Sequence, residues 1–516
     1  MAHGQLHVLL QDAPYTGDPL ALFAALTTPG DNSILLESAE IDTKAGTQSL
    51  LMLDACVRLV CHRHSVTLTA LNANGLPALD LVGRELGGER QAHQLVVTVP
   101  EADANLDEDS RLKAPSVLET LRLILTRFTA DQGQQHLFMA GTFAYDLIAA
   151  FEQLPEVPEG INHCPDFCFY LAETLITLDH VQETGRLAAC VFDPAEQGRL
   201  QARLDRLAAA CGQAHAEPEA DSLLAGQVQA NKNDAEFRAD VETLKGHIMV
   251  GDIFQVVPSR CFSLPCPSPL AAYRKLKQTN PSPYMFYVND QDFILFGASP
   301  ESSVKFDHGN RQVEMYPIAG TRKRGFNPDG SINLDLDGRI ELDLRQDEKE
   351  TAEHLMLVDL ARNDIARISE PGSRYVKDLL SVDRYSHVMH LVSRVVGTLR
   401  ADLDALHAYQ ACMNMGTLTG APKIRASDLI RHVEHSRRGS YGGAVGYLNG
   451  LGDMDTCIVI RSAFVSKGLA HVQAGAGVVY DSNPQSEADE TRNKAAAVLN
   501  AIALAHGKTL AEVTHG

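Results

Sequence analysis

The short turn Ser466-Lys-Gly468 constrains the fold more than any other stretch of this chain. It joins two runs of strand-like text with too few residues for a helical crossover, so the strands form an antiparallel hairpin. The text around it continues the pattern. Strand-like segments at Phe293 to Gly297, Ala444 to Tyr447, Thr456 to Ile460 and His471 to Ala474 alternate with long amphipathic helices. One helix start is explicit: Asn233 and Glu236 make a capping box, and Phe237, Val241, Leu244 and Ile248 follow on one face. Such a chain belongs to the α+β class rather than the doubly wound α/β class.

At 516 residues the chain exceeds one compact core. We expect an N-terminal part, residues 1–220, and a second part, residues 230–510, either separate or intertwined. In the first, Val66 to Ala70 and Thr174 to Leu178 read as strands, and Leu118, Leu121, Leu125 and Phe128 have helical spacing. Ala214 to Gln229 turns to Ala, Glu, Gln, Pro and Ser, a linker composition.

A formal charge of -21 argues against a nucleic-acid or anionic-membrane partner. It also means that any anionic substrate needs local Arg, Lys, backbone N–H groups or a metal. The N-terminal text lacks a signal-peptide pattern and no run has the apolar length of a membrane span, so a cytoplasmic location is expected. The ten cysteines show no framework. Cys56, Cys61, His62 and His64 lie close together, but they interrupt strand-like text without a CxxC pair, and we read the cysteines as buried thiols.

Two ExxE motifs stand out. Glu350-Thr-Ala-Glu353 and Glu487-Ala-Asp-Glu490 each open a helix, and a spacing of three puts both carboxylates of a motif on one face. The plain explanation is that acids suit the positive end of a helix dipole. If the motifs meet across a cleft, a chemical role follows. Two like charges ~4 Å apart repel by ~4 kcal/mol at an effective dielectric of ~20, and a hard divalent cation relieves that cost. Glycine-rich text surrounds the acids. Gly475-Ala-Gly477 lacks the third glycine and the helix of a dinucleotide fingerprint, and Gly416-Thr-Leu-Thr-Gly420-Ala-Pro-Lys423 has the wrong spacing for a phosphate loop. Such glycines still let backbone N–H groups approach an anion. Arg461, at a strand end, is either a carboxylate partner or a surface charge.

The stretches Phe296-Gly-Ala-Ser-Pro-Glu301-Ser, Pro317-Ile-Ala-Gly-Thr321, Glu353-His-Leu-Met-Leu-Val-Asp-Leu-Ala-Arg-Asn-Asp364, Gly416 to Lys423 and Gly475-Ala-Gly477 closely resemble the chorismate-utilising enzymes. With Leu35-Leu-Glu-Ser38 the resemblance narrows to the anthranilate synthase component I branch of enteric-bacterial type. It implies a four-layer α/β/β/α fold with two orthogonally packed, largely antiparallel sheets and a cleft between them. It also implies conversion of chorismate and ammonia to anthranilate and pyruvate, with Mg²⁺ held by Glu350, Glu353, Glu487 and Glu490. Glu301 becomes the general acid, His390 assists pyruvate elimination, and Thr417 and Lys494 position groups and balance charge. Arg461 and Tyr441 hold a carboxylate, with Gly320, Thr321, Gly475, Ala476 and Gly477 as further donors. Taken alone, His390 reads as a hydrogen-bonded helix histidine.

Two positions separate the family's reactions. Relatives with a covalent lysine place it where this chain has Ala319, and relatives that add water place a lysine base where this chain has Gln255. Neither residue can attack or deprotonate, which suits ammonia as the nucleophile. No cysteine has the nucleophile-elbow context of a glutamine amidotransferase, so glutamine hydrolysis falls to a partner subunit, component II, in an expected heterotetramer. The resemblance further implies an L-tryptophan feedback site from Glu37, Ser38, Pro283, Tyr284 and Met285, although Gln48, with Lys44 nearby, stands where relatives carry a lysine. The competing readings are an aminodeoxychorismate synthase, a non-catalytic tryptophan-binding regulator and a Ca²⁺-stabilised structural protein.

Overall fold

The computed structural model describes residues 4–38, 48–103, 105–220, 226–385 and 388–514. The hairpin is present: Ser462–Ser466 and Leu469–Gly475 pair antiparallel, with Val465 opposite Ala470. Lys467 and Gly468 both take left-handed backbone, φ 52° and 75°, which matches the turn to the twist of its strands. The capping box is also present. Asn233 accepts from the Glu236 N–H, Glu236 returns the bond, and the helix runs Asp234–Met249. The helix spelled by Leu118, Leu121 and Leu125 covers Glu119–Arg127 and stops one residue early. Phe128 begins a strand instead, paired with Gly4, and its ring packs edge-on against Phe192.

Strand alternation builds the layers. In Tyr284–Asn289, Met285 and Tyr287 face one apolar cluster while Phe286 and Val288 face another. The latter cluster is strand against strand, with Ile34, Met52, Ala140, Tyr170, Val445 and Phe464. On one side of it lies the cluster that receives helices Gln197–Cys211, Pro269–Thr279 and Pro484–Ala505. On the other lies the cluster with Leu76–Leu86, Glu119–Arg127 and Ala405–Cys412. Helix, sheet, sheet, helix is therefore the order of the layers. The pairing is antiparallel in strand after strand, with a short parallel contact between Gly4–Leu6 and Phe128–Ala130.

The early and late parts of the chain share strands. Ser33–Glu37 pairs with Tyr284–Asn289, and Phe138–Phe143 with Ala444–Asn449. All ten cysteines are buried free thiols, and His64 meets Glu101 rather than a thiol. No helix among the described residues is long and apolar enough to cross a membrane.

Candidate active site

Two helix starts supply the acids. Asp347 caps Glu348–Ala366 by accepting from the Glu350 N–H, and Asn483 caps Pro484–Ala505 by accepting from Gln485 and Ser486. Glu353 is raised above the ordinary carboxylate range by burial, and further by Glu350, Glu487 and Glu490, while Lys349 opposes the rise. Glu487 is raised by burial and by Glu490, eased by Ser482, Lys349 and Lys494. The two motifs, distant in sequence, therefore feel one another's charge and share Lys349. Among the described residues no three such groups close to ligand distance. Flanking cations pair with two of the acids: Arg322 holds Glu350 at 3.0 Å and Lys494 holds Glu490 at 2.5 Å. Four mutually repelling oxygen donors are the right chemistry for a hard cation.

Glu301 meets the loop that carries Thr417, and Lys494 of the second acidic helix acts on its charge. It is 6% exposed, and Thr417 Oγ1 donates to its Oε1 at 3.0 Å. Burial pushes its pKa up to about 8, against the pull of Thr417, Lys494, the Ile318 N–H and Arg461. A carboxyl that stays protonated at neutral pH can act as a general acid. A narrow cavity of about 20 Å³ beside it is lined by Pro317, Leu357, Gly416 and Thr417.

His390 sits on the strand Val388–Thr398, not on a helix as its sequence context alone suggested. It stands opposite Thr321 of the bulged strand Ile318–Lys323. Its Nδ1 lies 3.0 Å from Thr321 Oγ1 and 3.4 Å from the Gly320 carbonyl. Burial and then Arg461 push its pKa down to about 4, so the ring is neutral. Gly320 has φ 68°, and a Cβ there would approach Glu350 Oε2 to 3.1 Å.

Arg461 is the cation without a partner here. Among the described residues its side chain has no hydrogen bond or ion pair, although Tyr441, Glu490 and Glu301 influence it, and burial lowers its pKa. Its backbone is left-handed, φ 48°, a strained state for arginine. It is not the surface charge of the plain reading. Such a guanidinium suits an incoming carboxylate. Tyr441 is 5% exposed, pushed up to about 12 by burial, and faces the Gly475 N–H. Lys494 Nζ donates to the Gly475 carbonyl at 3.0 Å. The Ala476 N–H is donated to Pro258 O, so Ala476 serves as the fixed span between two glycines rather than as a free donor. A Cβ on Gly477 would lie 2.9 Å from Gln255 Nε2, and Gln255 Oε1 is buried without a partner.

The structure also brings together the two halves of the expected effector site, with Glu37 opposite Met285 in register. Glu37 is not free to hold a ligand ammonium, however. Its carboxylate accepts from Tyr273 at 2.6 Å and pairs with Lys277 at 2.5 Å. Ser38 is exposed and its N–H meets the Gln48 carbonyl at 3.2 Å, while Pro283 is buried and Tyr284 half-buried. Lys44 lies outside the described residues. A cavity of about 500 Å³ lies elsewhere, among the paired ions Arg63, Asp146, Asp166, Arg431 and Arg437.

Arg322, Arg438 and Asp364 also belong to this region, and the sequence carries little signal for them, since lone charges have no period. Arg438, 2% exposed, donates to the Leu418 and Val257 carbonyls and so fixes the loop behind Thr417.

Comparison with known proteins gives consistent matches. The family profile described as chorismate binding enzyme matches residues 86–500. Anthranilate synthase component 1 of Vibrio cholerae is 59% identical over 97% of each chain. That of Escherichia coli is 55% identical over 97% of this chain and 98% of its own. Anthranilate synthase component I of Streptococcus pneumoniae superposes with a TM-score of 0.68 at 31% identity, covering 89% of this chain and 94% of its own. The menaquinone-specific isochorismate synthase of Escherichia coli, 18% identical with a TM-score of 0.68, shares the fold over 97% of this chain and 95% of its own.

Proposed function

The chain belongs to the chorismate binding enzyme family, and on that premise we propose that it is an anthranilate synthase component I, converting chorismate and ammonia to anthranilate and pyruvate. The observation that carries this reading is Glu301, a buried carboxyl raised to about 8 beside an unpaired Arg461. Ala319 supports it over an aminodeoxychorismate synthase, because a methyl group cannot form a covalent adduct. The intact acid, cation and carboxylate clusters speak against a non-catalytic regulator or a structural protein.

Oxygen donors suit Mg²⁺, and Glu350, Glu353, Glu487 and Glu490 are the residues that would hold it, where it would neutralise the ring carboxylate of chorismate. The chain's own groups do the rest. Arg461 and Tyr441 hold the enolpyruvyl carboxylate, with Gly320, Thr321, Gly475 and Gly477 lining its path. Ammonia bonds to ring C2 as the C4–O bond breaks, Glu301 delivers its proton to the departing hydroxyl, releasing water, and the carboxylate so formed takes the extra proton from the new C2 ammonium. The C2 proton then passes to neutral His390 as the C3–O bond breaks, which aromatises the ring, and the departing enolpyruvate takes up a proton to leave as pyruvate.

An amidotransferase subunit supplies ammonia from glutamine, in a heterotetramer of two of each chain, in the cytoplasm. L-Tryptophan binds between Ser38 and Pro283–Met285. The test is anthranilate fluorescence from the isolated chain. Ammonium supports product and glutamine does not until the second subunit is added; glutaminase activity in this chain alone contradicts the division of labour.

A further inference from the structure

Lys423 opens the helix Lys423–Glu434, and its side chain is 9% exposed. Nζ donates to Asp364 Oδ2 at 2.7 Å and to the Cys412 carbonyl at 2.9 Å. Cys412 ends the helix Ala405–Cys412, so the second bond closes the base of the loop 413–422. Asp364 belongs to the last turn of Glu348–Ala366, whose first turns carry Glu350 and Glu353. That helix also touches the crown of the loop: a Cβ on Gly416 would stand 2.2 Å from Leu360 Cδ2. The next residue, Thr417, donates to Glu301. Neither Lys423 nor Asp364 has a part in the chemistry described above.

We propose that the Lys423–Asp364 ion pair is a positioning clamp that locks the 413–422 loop onto the carboxylate-bearing helix and so holds Thr417 against Glu301. A buried ammonium is tolerated only where a carboxylate and further acceptors satisfy it, and here those acceptors sit on two different helices. The pair therefore fixes a relation between three elements. The inference rests on the general-acid reading of Glu301.

The groups that act on Glu301 are Thr417, Lys494, Arg461 and the Ile318 N–H, and Tyr385 feels its charge. Thr417 favours the ionised carboxylate, so releasing it raises the pH at which Glu301 loses its proton. Lys423→Met and Thr417→Val are each expected to move the alkaline limb of kcat/KM to higher pH. Each also lowers kcat at least about tenfold with chorismate KM within about threefold. Lys423→Met with Thr417→Val shifts the limb no further than either alone, and Lys423→Arg restores part of the rate. Asp364→Asn with Lys423→Met, which buries no lone charge, keeps the shifted limb. Amide hydrogen exchange across 413–422 rises in Lys423→Met. The clamp is overturned by an unmoved limb in that variant, by shifts that add, by full recovery in the neutral double variant, or by unchanged exchange in the loop. A wild-type enzyme with no alkaline limb near 8 sinks the role of Glu301 instead, and the exchange measurement still decides the clamp.

Discussion

Thr417 Oγ1 donates to Glu301 Oε1 at 3.0 Å across 116 residues of chain. The bond aims the carboxyl and restrains a pKa that burial drives upward. A group with a folded pKa of about 8 is protonated below that value and loses its proton above it. Activity that needs the acid form is thus expected to fall as pH rises through about 8, read as the alkaline limb of kcat/KM. Glu301→Gln keeps chorismate affinity and loses turnover by at least about 100-fold. Near-normal turnover removes Glu301 from the mechanism.

His390 is neutral above about 4, held by Thr321 and pushed down by burial. His390→Ala should slow pyruvate release more than chorismate consumption, so an aminated, non-aromatic intermediate accumulates. Chromatography of quenched reactions resolves the two rates. Equal slowing of both contradicts a role confined to elimination.

Glu353 and Glu487 carry raised folded-state values, which is a stability statement. An acid raised on folding destabilises the ionised protein and ceases to do so as pH falls through its folded pKa. Without metal, Glu353→Gln is therefore expected to raise Tm at pH 7. Added Mg²⁺ raises the wild-type Tm more than the variant's. Thermal scans with and without chelator test both signs, and a lower Tm in the metal-free variant contradicts the first.

Ser38 lies exposed against Gln48, one residue beyond the Glu37–Met285 register pair. Ser38→Phe puts a bulky ring there, and we expect tryptophan inhibition to weaken at least about tenfold with uninhibited activity unchanged. Inhibition at wild-type tryptophan concentrations places the effector elsewhere.

Much of the fold was legible because its signals are local. The Ser466–Gly468 turn and the Asn233 capping box each depend on a few neighbouring residues, and both formed as read. Phe128 leaves its helical spacing for a strand paired with Gly4, and spacing carries no record of distant partners. The site followed the same division. The ExxE pairs were visible as one-faced acids, whereas their mutual effect needed coordinates. His390 was placed on a helix by context and on a strand by pairing with Thr321. Glu37 looked available in sequence because Tyr273 and Lys277, its partners, lie more than 230 residues away. Resemblance named the chemistry, and packing decided which groups are free to perform it.

The most direct test is Mn²⁺ binding followed by electron paramagnetic resonance, with chorismate present, in wild type, Glu353→Gln and Glu490→Gln. If both acidic helix starts grip a single ion, wild type shows one tight site per chain and each variant weakens it at least about tenfold. Undiminished Mn²⁺ affinity in both variants contradicts a shared site.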